Sequence, residues 1–474
     1  MISGNLKFQI MLKTIIIREL QNHLYSLRFI FALILTLFLF GVSSMSFIAE
    51  YKEQKNTHEQ GMVKFQEYKK DLAKNASRFA QNRTYLPLAP RNSGFIASCQ
   101  EENIPNTIIY SAFNVFNYDI SEGNKNPFVL PLKSVNWEFI LVLLFSFLAI
   151  IFTFDAVSGE KEMRTLALGL SNPVSRGILC AGKLIGTVII LTMFVVLGII
   201  VSVLILLFSG QTMITYTTVA EIGGFLLLSL LLIACSSCVG LLTSVLSYRS
   251  NTSLLIGLMV WLILLLIIPH TTLLLSNRLF PVESSEVIIQ NTNNSRKTIE
   301  AGFPEGKWRS ESNNPFTPDH QIRANMQMEF MLGEKKIRDN WYNSQFSQYL
   351  NTSKMTLISP MFIFEMGNEH MLNGGFQRFI NNWNDLHTYQ EQFLTWFKAF
   401  DSKDDKSPHW YNPYEDYSTS KSKVNIDEVP VYSERIVPFT QRLSRSGIYI
   451  ALLSIYTAIL FYISFVLFIR YDVR

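Results

Sequence analysis

The chain has 474 residues, of which 49% are hydrophobic and only 16% are charged, and its formal net charge is +4. Soluble domains carry roughly 25% charged residues, so this composition indicates a membrane protein. The small net charge and the lack of a basic patch with interleaved aromatic residues argue against a nucleic-acid partner. Four cysteines are too few for a disulfide framework.

The apolar residues are concentrated in six stretches that predict membrane-spanning helices. In chain order these are 29–48, 137–155, 184–208, 222–246, 254–275 and 447–469. A helix needs roughly 20 apolar residues to cross the hydrocarbon core, with a lower limit of about 17. The second stretch reaches that length only by including Trp137 and Glu138. We therefore expect an all-α, polytopic membrane protein with six spans.

The positions of Lys and Arg predict the orientation of these spans. Four basic residues precede the first span, in an amphipathic segment 1–28, and four more lie between the second and third spans. Because short cytoplasmic loops are enriched in basic residues, both segments are expected in the cytoplasm. An even number of spans then places the tail 470–474 in the cytoplasm as well.

Two long polar segments, 49–136 and 276–446, are then expected outside the cytoplasm. Residues 51–82 contain many charges and no proline, so they are predicted to continue the first helix out of the membrane. Pro87 and Pro90 are expected to stop helical propagation soon afterwards.

In the second polar segment, 321–349 and 375–400 show helix-like apolar spacing, and 402–424 has the composition of a linker. We expect the two polar segments to pack together as one largely helical extracytoplasmic domain. Cys99 is the one cysteine outside the spans and their cytoplasmic connections, so it would report the orientation if it is accessible.

The connector 156–183, between the second and third spans, combines charged residues with an apolar face. Glu160, Lys161 and Glu162 form a charged start, while leucines that include Leu166 supply apolar surface. Pro173 ends the helical pattern because it lacks an amide hydrogen. On these residues alone, the connector is either a short helix that docks into a groove on a soluble partner or an ordinary loop on lipid headgroups.

The sequence of the connector resembles that of type-2 ABC transporter permeases. The similarity is carried by 155–162 (DAVSGEKE), 165–166 (TL), 170–176 (LSNPVSR) and 182–183 (GK). It is strongest to the branch that contains the permease of the nitrous oxide reductase maturation system and the gliding-motility permeases, including members with a large extracytoplasmic insertion. Arg164 stands where that family usually has glycine.

This resemblance implies that the chain is the permease subunit of an ABC exporter in a bacterial cytoplasmic (inner) membrane. The connector would be the coupling helix that contacts a separate ABC ATPase, and a second permease copy or a similar permease would complete a dimer. ATP and magnesium would bind to the ATPase, so this chain is expected to bind no cofactor and to be no enzyme itself. The implied coupling residues are Asp155, Ser158, Gly159, Glu160, Lys161, Glu162, Thr165, Leu166, Leu168, Asn172, Pro173 and Arg176. The cargo would be a lipid, a peptide or a lipopeptide, and an extracytoplasmic partner is possible.

The absence of charge from the predicted spans favours an external motor. The apolar cores of the six stretches, 139–154 in the second, contain no Asp, Glu, Lys or Arg. Ion-driven carriers usually need buried ionisable groups, and His270 near the end of the fifth stretch is read as an interfacial residue. The alternative is a membrane-anchored sensor or adhesion protein, which would have no need of a docking helix.

Three further patterns resemble functional motifs, but we expect each of them to have a structural role. The run from Gly177 to Lys183 resembles a phosphate-binding loop, but it is followed by Leu184 in place of Ser or Thr. Cys235 and Cys238 have metal-site spacing, but they lie inside a span, where close helix packing at Ser236 and Gly240 is favoured. A group of methionines with His320, Glu369 and His370 could bind copper, but the methionines are expected to fill helical cores.

Overall fold

The computed structural model describes residues 2–99, 106–118, 135–166, 175–212, 214–304, 318–405 and 422–471. The helices are α1 (Ile2–Leu24), α2 (Leu27–Leu72), α3 (Ala76–Gln81), α4 (Trp137–Ile151), α5 (Ser158–Glu162), α6 (Arg176–Ser209), α7 (Tyr216–Leu246), α8 (Ser250–Leu279), α9 (Ser285–Ala301), α10 (Pro318–Thr356), α11 (Pro360–Leu372), α12 (Gly375–Asp401) and α13 (Phe439–Arg470). The strands are β1 (Thr84–Pro87), β2 (Thr107–Ser111) and β3 (Asn114–Tyr118). The described chain is thus mostly helical, as expected.

Within these described ranges, five helices are long and apolar enough to cross a membrane: α2, α6, α7, α8 and α13. The remaining predicted span, the second in chain order, corresponds to α4, a shorter apolar helix with a π-helical segment at Leu141–Phe145. At 1.5 Å per residue α4 is about 22 Å long, against a hydrocarbon core of about 30 Å. The structure therefore supports five of the six stretches by length, and α4 is the marginal stretch that the sequence indicated.

Small residues allow the membrane helices to pack closely. A Cβ atom on Gly198 of α6 would lie 2.6 Å from the Phe40 ring of α2, and one on Gly240 of α7 would lie 3.0 Å from the Ile150 Cα atom of α4. Lipid tails are as apolar as the helix side chains, so the hydrophobic effect does not drive membrane helices together. Close packing of this kind drives their association instead. The packing role predicted around Gly240 is confirmed, and Cys235 and Cys238 are buried in the same helix.

The short helix α11 packs among the membrane helices, although the sequence analysis assigned it to a polar segment. Met361, Ile363 and Phe364 belong to the same buried cluster as the core of α6 and α7. A side-chain hydroxyl at Ser359 caps its start, and Asn373 ends it in left-handed backbone at φ 49°. Its apolar composition gains more from burial against the spans than from exposure in water.

A buried ion pair joins the ends of two membrane helices to α11. Arg442 of α13 donates to Glu221 of α7 with an Nη1–Oε1 distance of 2.6 Å, and to the Met371 carbonyl at 3.2 Å. Both charged residues are 7% exposed. Each lies just outside a predicted apolar stretch, so the ion pair joins the two helices where those stretches end.

A second hydrophobic core lies in what we call the polar domain, formed by α3, β1–β3, α9, α10, α12 and the C-terminal part of α2. This core is aromatic: the ring centroids of Tyr342 and Trp383 lie 4.0 Å apart, and Phe393 contacts Tyr110 and Phe116 at 5.5 and 5.6 Å. The continuation of the first helix, expected over 51–82, is confirmed as far as Leu72, where α2 ends and the separate helix α3 follows. The helices predicted at 321–349 and 375–400 are confirmed by α10 and α12.

The sheet of the polar domain corrects the all-α expectation. Its order is β1-β2-β3 and both pairings are antiparallel, with Thr84 opposite Tyr110 and Ile108 opposite Tyr118. Pro87 therefore ends a strand and not a helix. The residues of β2 and β3 are β-branched and aromatic, the types that favour pleated surfaces, but the strands are too short for a clear alternating pattern. The predicted linker 402–424 lies mostly outside the described residues.

Candidate functional site: the connector between α4 and α6

The connector begins at a fixed point on α7. The Ser244 hydroxyl accepts hydrogen bonds from the backbone amides of Val157 and Ser158, both at 2.9 Å. The Ser158 hydroxyl donates to the Phe154 carbonyl at 2.8 Å. Ser158 is fully buried, so this predicted coupling residue positions α5 and presents no surface to a partner.

Lys161 attaches the same short helix to the C-terminal end of α7. Its ammonium donates to the carbonyls of Val245 and Ser247 and lies 4.1 Å from the centre of the Tyr471 ring. Carbonyls at a helix C-terminus carry partial negative charge and stabilise a cation. Lys161 is 4% exposed, and this burial lowers the pKa of its ammonium group.

Glu160 and Asp155 form ion pairs with other helices. Glu160 lies 2.9 Å from Lys183 of α6, and Lys183 lies 2.9 Å from Glu19 of α1. Asp155 lies 2.8 Å from Arg28 at the start of α2, whose guanidinium also donates to a carbonyl at the end of α4. These contacts join the connector to three helices.

Glu162 caps the next membrane helix. Its Oε2 atom accepts a hydrogen bond from the Ser250 amide at 3.0 Å, in the first turn of α8. This hydrogen bond to the charged form lowers the pKa of the Glu162 carboxyl. A carboxylate is favoured at this position because the first amides of a helix lack intrahelical acceptors.

The far end of the connector is held to α13. One guanidinium nitrogen of Arg176 donates to the carbonyls of Phe468, Ile469 and Tyr471 at 3.0, 2.7 and 2.8 Å. Leu166 is 3% exposed and packs in a small buried cluster that includes Phe468. Three other predicted residues, Leu168, Asn172 and Pro173, lie outside the described residues.

Four consecutive residues of the connector face solvent. Glu162, Met163, Arg164 and Thr165 are exposed, and we call this turn the connector tip. Met163 is 69% exposed and gives the tip an apolar side chain between charged neighbours. Sequence reasoning missed Met163, although its signal was present as an apolar residue between two charged ones.

Arg164 gives the tip its sharp turn. Its φ of 58° lies in the left-handed region, where a residue other than glycine is strained. Gly159, by contrast, has ordinary space around it, since a Cβ atom there would lie 3.6 Å from Asp155. The position where the resembled family usually has glycine is thus one whose backbone favours glycine.

A row of polar groups on α11 was also missed. Asn368 donates to Glu138 of α4 at 3.3 Å, Glu369 accepts from the Tyr349 hydroxyl at 2.6 Å, and a hydrogen bond of 3.0 Å joins His370 to Tyr449. Burial, with Glu369 nearby, raises the pKa of Glu365 to about 7. The signal was four polar residues within an otherwise apolar stretch.

The other patterns take structural roles. Gly177 and Gly182 lie within the first turns of α6, where Gly182 faces Ile15 of α1, so the run from 177 to 183 forms a helix and not a loop. No group of three His, Cys, Asp or Glu in the described part of the chain is placed to hold a metal ion. Met361 and Met371 are buried in the hydrophobic cluster of the spans, as expected of core methionines.

A bundle of apolar helices, with a connector whose described residues are attached to the surrounding helices and form an exposed tip, defines a multi-pass membrane protein. The chain belongs to the ABC-2 transporter family: the family model described as "ABC-2 family transporter protein" matches residues 13–473. That family provides the membrane permease of ABC transporters, has no ATPase site of its own and normally works with an ABC ATPase. A search of curated proteins finds no match to this chain.

Proposed function

We propose that this chain is the permease subunit of an ATP-driven ABC exporter and that its connector tip docks on a separate ATPase. Closure of two ATPase subunits on ATP would displace the connector, and the membrane helices would move between two packed arrangements. ATP and magnesium would be bound by the ATPase subunits. The proposal extends the family assignment to a direction of transport and to particular residues.

The observation that carries the proposal is the contrast between the attached body of the connector and its exposed tip. Ser158 and Lys161 are buried and bonded to α7, whereas Met163 and Thr165 project from the bundle. A surface loop that merely rests on headgroups needs no such set of attachments. A rigid projection with an apolar side chain at its end suits a groove on a soluble partner.

The proposed topology places both termini and the connector in the cytoplasm and the polar domain outside it. The basic residues of α1 and of the connector support this orientation. With α4 as a short sixth span, α2 would leave the cytoplasm and α13 would return to it, so that both termini lie inside. The polar domain would then face the periplasm of a bacterial cell.

The proposed assembly contains two permease chains. The span of α8 is only 17% buried within this chain, so most of its apolar surface is left for lipid or for a second copy or similar permease. The cargo is proposed to be a lipid, a peptide or a lipopeptide, the classes that the resemblance of the connector to exporter permeases implies. The branch indicated by the connector sequence stays a prediction.

The test is a charge placed at the connector tip. Met163→Asp should reduce the amount of ABC ATPase that copurifies with the chain by roughly tenfold or more, because a buried carboxylate would be left unpaired in the interface. The measurement is quantitative copurification from the native host in detergent. Within the described part of the chain, the Met163 side chain makes no hydrogen bond. This variant therefore tests docking more directly than Glu160→Lys, which would also break the pair with Lys183.

The matched control is Val63→Asp. Val63 is an exposed apolar residue on the polar-domain part of α2, 56% exposed against 69% for Met163. This variant should retain the ATPase at the level of the unaltered chain. Equal recovery of ATPase with Met163→Asp would contradict docking at the tip. Failure of any ATPase to copurify with the unaltered chain would favour the alternative, a membrane-anchored sensor or adhesion protein.

A further inference from the structure

A buried cation joins three separate parts of the chain near the connector. The Lys183 ammonium lies 2.9 Å from Glu160 of α5 and 2.9 Å from Glu19 of α1. The three side chains are 10%, 29% and 14% exposed, respectively. We call this group the acid–lysine–acid triad.

The charges make Lys183 necessary to the arrangement. Two carboxylates brought to one partly buried place repel each other, and the cation between them supplies the attraction that offsets both their repulsion and their loss of hydration. Without the cation, Glu19 and Glu160 would be expected to separate. The triad is therefore a joint whose closure depends on one residue.

The triad joins α1 to the connector, and α1 packs tightly along α6. A Cβ atom on Gly182 would lie 2.5 Å from Ile15, and one on Gly186 would lie 3.0 Å from the Glu19 side chain. One turn beyond Glu19, the His23 ring packs on Phe152 at 5.2 Å, and its Nε2 atom lies 3.4 Å from the Thr187 hydroxyl. Displacement of the connector would thus act on α1 and α6 together.

We propose that Lys183 is a positioning residue that transmits movement of the connector to α1 and α6. This inference rests on the proposed function, in which an ATPase moves the connector. The ion pair of Arg28 with Asp155, at 2.8 Å, joins the start of α2 to the same region and would keep the α1–α2 corner in register. Helix α1 then acts as a part of the coupling device as well as a segment at the membrane surface.

The experiment measures hydrogen exchange of the α1 amides in the full chain with its copurified ATPase, in lipid nanodiscs, with and without ATP and orthovanadate. In the unaltered complex, nucleotide trapping should change the exchange of α1. Lys183→Met should abolish that response and speed exchange in α1 by roughly tenfold or more, because the carboxylates lose their shared partner. Lys183→Arg should retain the response, since it keeps the cation.

Glu19→Gln provides a second variant that preserves the pair between Lys183 and Glu160, and it too should abolish the response of α1 to nucleotide. The amount of copurified ATPase separates the two proposals, since these variants leave the connector tip unchanged and should bind the ATPase normally. A full α1 response in both Lys183→Met and Glu19→Gln, with ATPase bound, would overturn the transmission role alone. Loss of the response in Lys183→Arg as well would show a packing effect and would also overturn it.

Discussion

Arg164 illustrates how a single backbone conformation shapes the connector tip. The residue is exposed and has a φ of 58°, so its side chain contributes little packing while its backbone bears the strain of left-handed geometry. The connector of the resembled permeases usually has glycine there, which adopts this conformation freely. The tip of this chain is thus held in its turn by the attachments on either side of it.

Replacing Arg164 tests this account of the tip. Arg164→Gly should stabilise the turn by about 1 kcal/mol relative to Arg164→Ala, because alanine keeps the Cβ atom that makes left-handed backbone unfavourable. Hydrogen exchange of amides 158–166 should accordingly be slower in the glycine variant by roughly fivefold. Equal exchange in the glycine and alanine variants would show that the turn relaxes out of the left-handed region.

At the scale of elements, α2 links the two parts of the molecule. Its first half is a membrane span and its second half belongs to the polar domain, with no break between Leu27 and Leu72. Cys99, expected to report the orientation if accessible, is only 7% exposed, because the loop that carries it is covered by the turn between α11 and α12. All four cysteines are buried, so the native chain offers a low background for introduced thiols.

Introduced cysteines should therefore establish the orientation. Val63→Cys, on the half of α2 that belongs to the polar domain, is expected to react with a membrane-impermeant maleimide when only the outer envelope of the cell is opened. Met163→Cys should react only after the cytoplasmic membrane is opened, because the proposed topology places the tip inside. The unaltered chain serves as the control, and the reverse order of reactivity would refute the orientation.

At the scale of the whole molecule, the described residues form two large cores of different character. The core of the spans is aliphatic and aromatic and includes α11, whereas the core of the polar domain is dominated by aromatic side chains from α10, α12 and the sheet. The core of the polar domain is stabilised by the removal of its apolar surface from water, and this driving force requires aqueous surroundings. We therefore expect denaturant to unfold the polar domain separately from the spans.

A cavity in the polar-domain core tests this separation. Phe393→Ala should destabilise the polar domain by about 3–5 kcal/mol, since Phe393 is 1% exposed. For this variant in detergent, urea unfolding followed by tryptophan fluorescence should show its first transition at a lower denaturant concentration than for the unaltered chain. The helical signal of the spans should be retained through that transition. Phe38→Ala, at a position in the span of α2 that is 62% exposed, should leave that transition unchanged. A single transition shared by both cores would contradict the expectation.

The sequence by itself determined the membrane class, five of the spans, the continuation of α2 and the location of the connector. These features follow from local composition: long apolar runs, proline positions and a charged motif such as 155–162 are each contained in one stretch of chain. The short span α4 was marginal in the sequence and is marginal in the structure for the same reason, its length.

Only the tertiary structure decided which connector residues are available to a partner. Lys161 and Ser158 look like surface residues in the sequence, but both are buried in the structure. Their hydrogen-bond partners, carbonyls of α7 and the Ser244 hydroxyl, lie more than 80 positions away in the chain. The same holds for α11, whose apolar residues find a place among the spans, and for the sheet, whose strands are stabilised by pairing with each other. Burial and pairing depend on contacts between distant parts of the chain, and local patterns do not contain that information.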